Sequence, residues 1–160
     1  EGGQPMPQIW SQLPEDFGSA TYGTRRQGAI DKHLAMVCEC DDLLWLFDYW
    51  RSHSRDLRQY LWAHRDPDVD RARHLVEIMP SSVILKILRY MVGDYWGRYL
   101  GWPDLLLHRD DEFLLVEVKS SGDKLSQDQR HWIAGNHDHL QLPFKVAKIH
   151  RANPKGAVAT

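Results

Sequence analysis

At 160 residues, 42% hydrophobic and 26% charged, the chain has material for one domain with a real core and little room for two. Its formal charge of −2 excludes a uniformly basic nucleic-acid coat, although acids gathered around a metal ion would hide a local basic surface in that total. No apolar run approaches the ~20 residues that span a bilayer, and Cys38 and Cys40 are too few and too close for a disulfide framework, so an intracellular, reducing compartment is expected.

The chain opens on Glu1-Gly2-Gly3 with neither an initiator methionine nor a charged-then-apolar leader, as a fragment or processed product does. Residues 1–24, rich in Gly, Pro, Gln and Ser, show no period and are expected to be an extended lead-in. From residue 25 to about residue 80 the pattern is helical. Ile30, Leu34 and Val37 mark one apolar face; Leu43, Leu44, Phe47 and Trp50 mark another, with Asp41 or Asp42 placed to cap it. Asp66-Pro67-Asp68 starts a third helix that turns Ala72, Leu75, Val76 and Met79 inward. Ser81 or Ser82 opens a fourth, with Ile84, Leu85, Leu88 and Met91 on one side.

At Gly101 the character changes. Leu105-Leu106-Leu107 and Phe113-Leu114-Leu115-Val116 flank the polar run Arg109-Asp110-Asp111-Glu112, which predicts a β-hairpin. Ser126, with Gln129 three residues on, is a capping-box start for a helix through Trp132 and Ile133. Phe144, Val146 and Ile149 predict a final strand. The expected order is therefore a helical section, a hairpin, a helix and a strand.

The hairpin carries the chemistry. With Arg109 to Glu112 as its loop, His108 faces Phe113 and Asp104 falls opposite Glu117, Cβ atoms ~4.5–5.5 Å apart on one face. Lys119 projects from that face ~7 Å further along, while Leu114, Val116 and Val118 take the other, where a core wants them. Opposed carboxylates repel, and a divalent cation offsets the repulsion better than Lys119 alone. Such an ion polarises a phosphoryl oxygen and acidifies a water, with Lys119 beside the attacking water and the developing charge. The plainer reading is a solvated ion pair worth ~0–1 kcal/mol. Hairpin-compatible spacing, a shared face and the Gly101-x-Pro103-Asp104 turn, whose glycine lets a large substrate approach the backbone, favour the site.

Gly101-Trp102-Pro103-Asp104-Leu105, Leu115-Val116-Glu117-Val118-Lys119, and Asp123-Lys124-Leu125-Ser126 with Gln129 and Trp132 together resemble the PD-(D/E)XK nuclease motif in its VRR-NUC version. The likeness is greatest to the carboxy-terminal nuclease domain of the Fanconi-anaemia-associated nuclease family. It covers residues 20–151 and is specific over 101–132. It implies an α/β restriction-endonuclease-like core, a small mixed sheet flanked by helices, with a helical amino-terminal extension. The nuclease domain would span residues 25–151, helical over 25–100 and catalytic over 101–151, with a tail at 152–160.

The resemblance further implies that Asp104 and Glu117 are the metal-binding acids, that the Val118 carbonyl is a further ligand, and that Lys119 is the catalytic lysine. Gln129, Ser126 and Lys124 would support the site or contact DNA. Mg²⁺ or Mn²⁺ is the implied cofactor, and branched or 5′-flap DNA in interstrand crosslink repair the implied substrate. The compartment would be nuclear in a eukaryote and cytoplasmic in a bacterium. The family also uses a glutamate on an earlier helix, which no residue matches here. Glu39 and Glu77 lie on helices without marking themselves as that acid, so an upstream domain or another chain is expected to supply it.

Other clusters carry less. His131, His137 and His139 offer three zinc ligands without a spaced fourth, and solvated histidines near a helix end explain them. Cys38 and Cys40, two apart on a helix, point away from one another. Trp45, Trp50, Trp62 and Trp96 read as core, while Trp102, beside the motif, is placed to touch a nucleotide. Arg25, Arg26, Arg51, Arg55, Arg58, Arg71, Arg73, Lys86, Arg89 and Arg98 form either a DNA-facing stripe or scattered solubilising charge. The expected activity is metal-dependent DNA hydrolysis. A non-catalytic DNA-binding or docking module with an incomplete site is the alternative, and a helical scaffold with an incidental hairpin the third.

Overall fold

The structure, a computed structural model, describes residues 16, 19–54, 65–110 and 112–150. The expected lead-in (Asp16 and residues 19–24 apart) and the tail, with Arg55, Arg58 and Trp62, lie outside the described residues. Packing divides the chain into two units, meeting in sequence at Gly97 and Arg98.

The first unit is helical: α1 (Tyr22–Arg25), α2 (Gln27–Glu39), α3 (Leu43–Ser54), α4 (Asp66–Ile78), α5 (Ser81–Gly93) and the short α6 (Tyr95–Arg98), which runs to the boundary. Asp42 Oδ1 accepts the Trp45 N–H at 2.8 Å, so α3 begins where its cap predicts. Pro67 sits in the first turn of α4, where no N–H is needed, with Asp66 and Asp68 on the positive end of the helix dipole. Helix α2 packs on α5 and α3 on α4, with Leu43, Val69, Met79, Leu85 and Tyr90 buried. Four side chains depart from the helical reading. Leu75 is largely exposed rather than inward, and Val69 on the same helix takes the core position. Trp45, Trp50 and Trp96 are also exposed rather than core, Trp45 stacking on Tyr49 at 5.4 Å.

The second unit holds β1 (Leu105–Arg109), β2 (Glu112–Ser120), α7 (Gln127–Gly135), a π-helical turn (Asn136–Leu140) and β3 (Phe144–Ile149). The sheet order is β1-β2-β3, antiparallel then parallel. His108 pairs with Phe113, as the hydrophobic alternation requires. The expected four-residue loop is tighter than read: Arg109 pairs with Glu112, leaving positions 110 and 111 as the connection, with Asp110 at φ 52°, a left-handed conformation that Asp tolerates.

Helix α7 lies across one face of the sheet. Its Trp132, 1% exposed, meets Phe144 of β3 edge-on at 5.1 Å and Trp102 at 5.4 Å, with Leu115 buried on the same face. The turn between the π-helical segment and β3 is clasped by Asn136, whose amide accepts the Leu142 N–H and donates to the Leu142 carbonyl. Parallel pairing then starts with Leu115 N–H donating to the Pro143 carbonyl at 2.9 Å. Among the described residues, no helix is long and apolar enough to cross a membrane.

Candidate functional site

Glu117 sits on the central strand β2, on the face that α7 covers, and is 2% exposed. An ionised carboxylate taken out of water is costly unless it is both paired and hydrogen-bonded. Both conditions are met. Lys119, two residues on and therefore on the same face, places Nζ 2.8 Å from Glu117 Oε1. Gln129 Nε2, in the first turn of α7, donates to the same oxygen.

The capping box of α7 explains why Gln129 presents its amine. Ser126 Oγ accepts the Gln129 backbone N–H at 3.1 Å, and Gln129 Oε1 accepts the Ser126 N–H at 2.9 Å. With its oxygen committed to Ser126, the Gln129 amide can offer only N–H groups to the sheet. One local motif thus starts the helix and orients a donor onto a buried acid. Ser126 is in this way a support of Gln129, and Lys124 stands exposed on the loop before it.

Asp104 lies one residue before β1, and its Oδ2 accepts the Val118 N–H at 2.9 Å. The N–H and C=O of one strand residue point to the same edge, so the Val118 carbonyl also faces the β1 side. Continuing the observed register by two residues brings Pro103 opposite Val118. Proline has no N–H, so the ladder offers that carbonyl no donor. Asp104 thus places a carboxylate on the β2 edge just past the end of the ladder.

Two expectations around this turn are corrected. Gly101, at φ +78°, is not held open for a substrate. A Cβ there would strike the backbone of Asp128 and Gln129, so its lack of a side chain lets the turn press on the first turn of α7. Trp102 is half-buried against Trp132, and its indole N–H donates to the Arg98 carbonyl at 2.9 Å; packing, not an open stacking face, accounts for it.

Sequence reading missed one element of the site. After Lys119 the chain turns through Gly122 at φ +95°, and Asp123 Oδ2 accepts both the N–H and the hydroxyl of Ser120. The Ser120 hydroxyl, then its N–H, holds the Asp123 carboxyl below the ordinary carboxylate range. The Asp123-x-x-Ser126 spacing was visible in the sequence, but the backward bond to Ser120 was not.

The remaining candidates are not brought together. His131, His137 and His139 are exposed, and His137 pairs with Asp138. Cys38 and Cys40 are free thiols. Among the described residues, no group of three or more His, Cys, Asp and Glu side chains is arranged to hold one ion. Several arginines of the supposed stripe are matched within the helical unit: Arg25 and Arg26 to Asp16, Arg51 to Asp70, Arg71 to Asp68 and Arg73 to Asp48.

The sequence model of the VRR-NUC domain matches residues 41–150. The chain belongs to the VRR-NUC family. Within it, the chain is 25% identical over 127 residues to human Fanconi-associated nuclease 1, a match that covers 76% of this chain and 12% of the relative. The Dictyostelium discoideum homolog is 29% identical over 138 residues, covering 75% of this chain and 12% of that one. A crystal structure of paFAN1 bound to DNA with a 2-nucleotide 5′ flap and a gap superposes with a TM-score of 0.65 at 20% identity, covering 89% of this chain and 26% of that one. A second, with a 1-nucleotide flap, gives 0.62 at 21%, covering 88% and 26%. The fold is therefore the restriction-endonuclease-like α/β fold that the motif resemblance implied, in a chain that spans a small part of its relatives' length.

Proposed function

We propose that this VRR-NUC chain hydrolyses DNA phosphodiester bonds with Mg²⁺ or Mn²⁺, selecting 5′-flap or branched DNA in interstrand crosslink repair. The observation that carries the reading is the buried Glu117, held by Lys119 and Gln129, one residue from a Val118 whose N–H binds Asp104. Asp104, Glu117 and the Val118 carbonyl form an all-oxygen set that fits a hard cation, which takes one or two carboxylates and fills its remaining positions with water and phosphate. When bound there, the ion supplies Lewis-acid polarisation of a phosphoryl oxygen and acidification of a water.

The chain's own groups do the rest. Gln129 and Lys119 fix the Glu117 carboxylate through Oε1. Lys119, mostly buried, presents its ammonium to the attacking water and to the charge that develops on the phosphoryl oxygens. Ser126 and Gln129 keep this geometry in place before substrate arrives.

The lack of a three-acid cluster among the described residues favours a second reading, a non-catalytic DNA-binding or docking module with an incomplete nuclease site. Incubation with 5′-flap and junction DNA in Mn²⁺, beside a Lys119→Ala control and an EDTA control, separates the two. Cleavage that EDTA abolishes and Lys119→Ala lowers by about 10²–10³ supports the enzyme. Binding without cleavage supports the module. On either reading DNA is the partner, and the compartment is the nucleus of a eukaryote or the cytoplasm of a bacterium.

A further inference from the structure

Lys119 and Lys148 are register partners on the parallel strands β2 and β3. Neighbouring strands lie ~4.7–4.9 Å apart, and lateral neighbours share a face, so two ammonium-bearing side chains rise side by side next to Glu117. Like charges placed this way are unfavourable unless something anionic answers them. Lys119 is answered by Glu117 at 2.8 Å. Lys148 is exposed, and among the described residues no carboxylate lies within ion-pair distance of it.

The ground around Lys148 is open as well. Helix α7 covers this face at Leu115 and Phe144, where Trp132 sits, but Val146, paired with Glu117, is 47% exposed. The face therefore runs from an end sealed by α7, where Glu117 lies beneath Gln129 and Lys119, to an uncovered margin on β3 that carries Val146 and Lys148. Lys145, three residues earlier on β3, is equally charged and exposed but points to the opposite face by the two-residue period of the strand.

We propose that Lys148 binds a backbone phosphate of the DNA strand beside the phosphodiester being cut, a contact that places the substrate and takes no part in bond breaking. The inference rests on the nuclease reading of the Glu117 and Lys119 face. A lysine is suited to the role because an ammonium on a long stem reads a phosphate as a point charge and carries no sequence preference.

Binding of a labelled 5′-flap duplex, followed by fluorescence anisotropy with Ca²⁺ in place of Mn²⁺ over roughly 50 to 200 mM KCl, tests it. Each lost phosphate contact lowers the slope of log K against log salt by about 0.9, so Lys148→Gln should lose affinity by about 3.5-fold less than the unaltered chain across that fourfold salt range. It should also bind more weakly at low salt, and in Mn²⁺ it should raise KM with kcat unchanged. Lys145→Gln should match the unaltered chain in all three. If Lys148→Gln and Lys145→Gln behave alike while the unaltered chain binds and cuts, the Lys148 assignment falls and the nuclease reading stands. If the unaltered chain binds no DNA, both fall.

Discussion

In the helical unit, arginines meet aspartates in pairs that water still reaches: Arg73 with Asp48 and Arg51 with Asp70 join α3 to α4, and Arg71 meets Asp68 within α4. In the sheet unit one carboxylate among the described residues, Glu117, is withdrawn from water and held by a lysine on its own strand and an amide from α7. An exposed pair is screened and can be exchanged at little cost. A buried acid is a standing liability, and chains keep such groups where they serve chemistry. The contrast marks the site on which the proposed function rests better than the total charge does.

The sharpest way to break that comparison is to remove the buried acid's partner. Lys119→Met takes the ion-pair partner from a buried carboxylate and leaves it only the Gln129 bond, and should cost about 3–5 kcal/mol of stability, read from the urea midpoint. Adding Glu117→Gln removes the stranded charge and should return most of that loss. Neither variant should cleave DNA. A single variant as stable as the parent would show that Glu117 is not a buried charge, and the contrast between the units would be gone.

Glycine gives a second, smaller contrast. Gly101 stands at φ +78° with the Asp128 and Gln129 backbone in the path of any Cβ, so Gly101→Ala should cost at least about 2 kcal/mol and loosen the grip of Gln129 on Glu117. Gly28, inside α2, has nothing within 4 Å of a built Cβ. Gly28→Ala should therefore stabilise by roughly 0.5–1 kcal/mol. Thermal melts of the two single variants test both signs at once, and equal shifts would remove the Gly101 argument.

The same two glycines show what the sequence could disclose. The hairpin was legible because two apolar runs flank a short polar break, and setting His108 opposite Phe113 across that break gives the observed register. The start of α7 was legible because a capping box is a local motif. Tertiary partners were not. Helical periodicity says that Trp45 and Trp50 line up with their neighbours, but not whether anything covers them, and both are exposed. Leu75, read as inward, is exposed for the same reason, while Val69 is buried. Gly101 was visible as a turn residue, yet the helix that presses on it lies 27 positions downstream. At the site, the residue types were readable. The Gln129 bond to Glu117 and the Asp123 bond to Ser120 depended on how the chain returns on itself.

The smallest effect sharpens the comparison most finely, because Asp48 in the helical unit and Asp123 in the sheet unit both have carboxyls below their ordinary range, for different reasons. Asp48 is lowered chiefly by hydrogen bonds from the Arg73 guanidinium, with the charges of Arg73 and Arg51 adding to them. Asp123 is lowered by the Ser120 hydroxyl and then the Ser120 N–H. Since both folded values lie below the unfolded value of about 3.9, each carboxylate stabilises the fold above that pH, and the contribution is lost as pH falls through the folded value. Carboxyl carbon shifts followed through an acid titration report the two separately. Arg73→Gln should move the Asp48 titration up toward about 3.9 and leave Asp123 alone, and Ser120→Ala should do the reverse. Raising salt should lift Asp48 more than Asp123, because an exposed guanidinium is screened while short hydrogen bonds to a serine are not. An Asp48 titration indifferent to Arg73→Gln would mean that the surface pair does not persist in solution. The helical unit would then lose one of its ties between α3 and α4 and keep Arg51–Asp70, while the Ser120–Asp123 turn after Lys119 would stand unaffected.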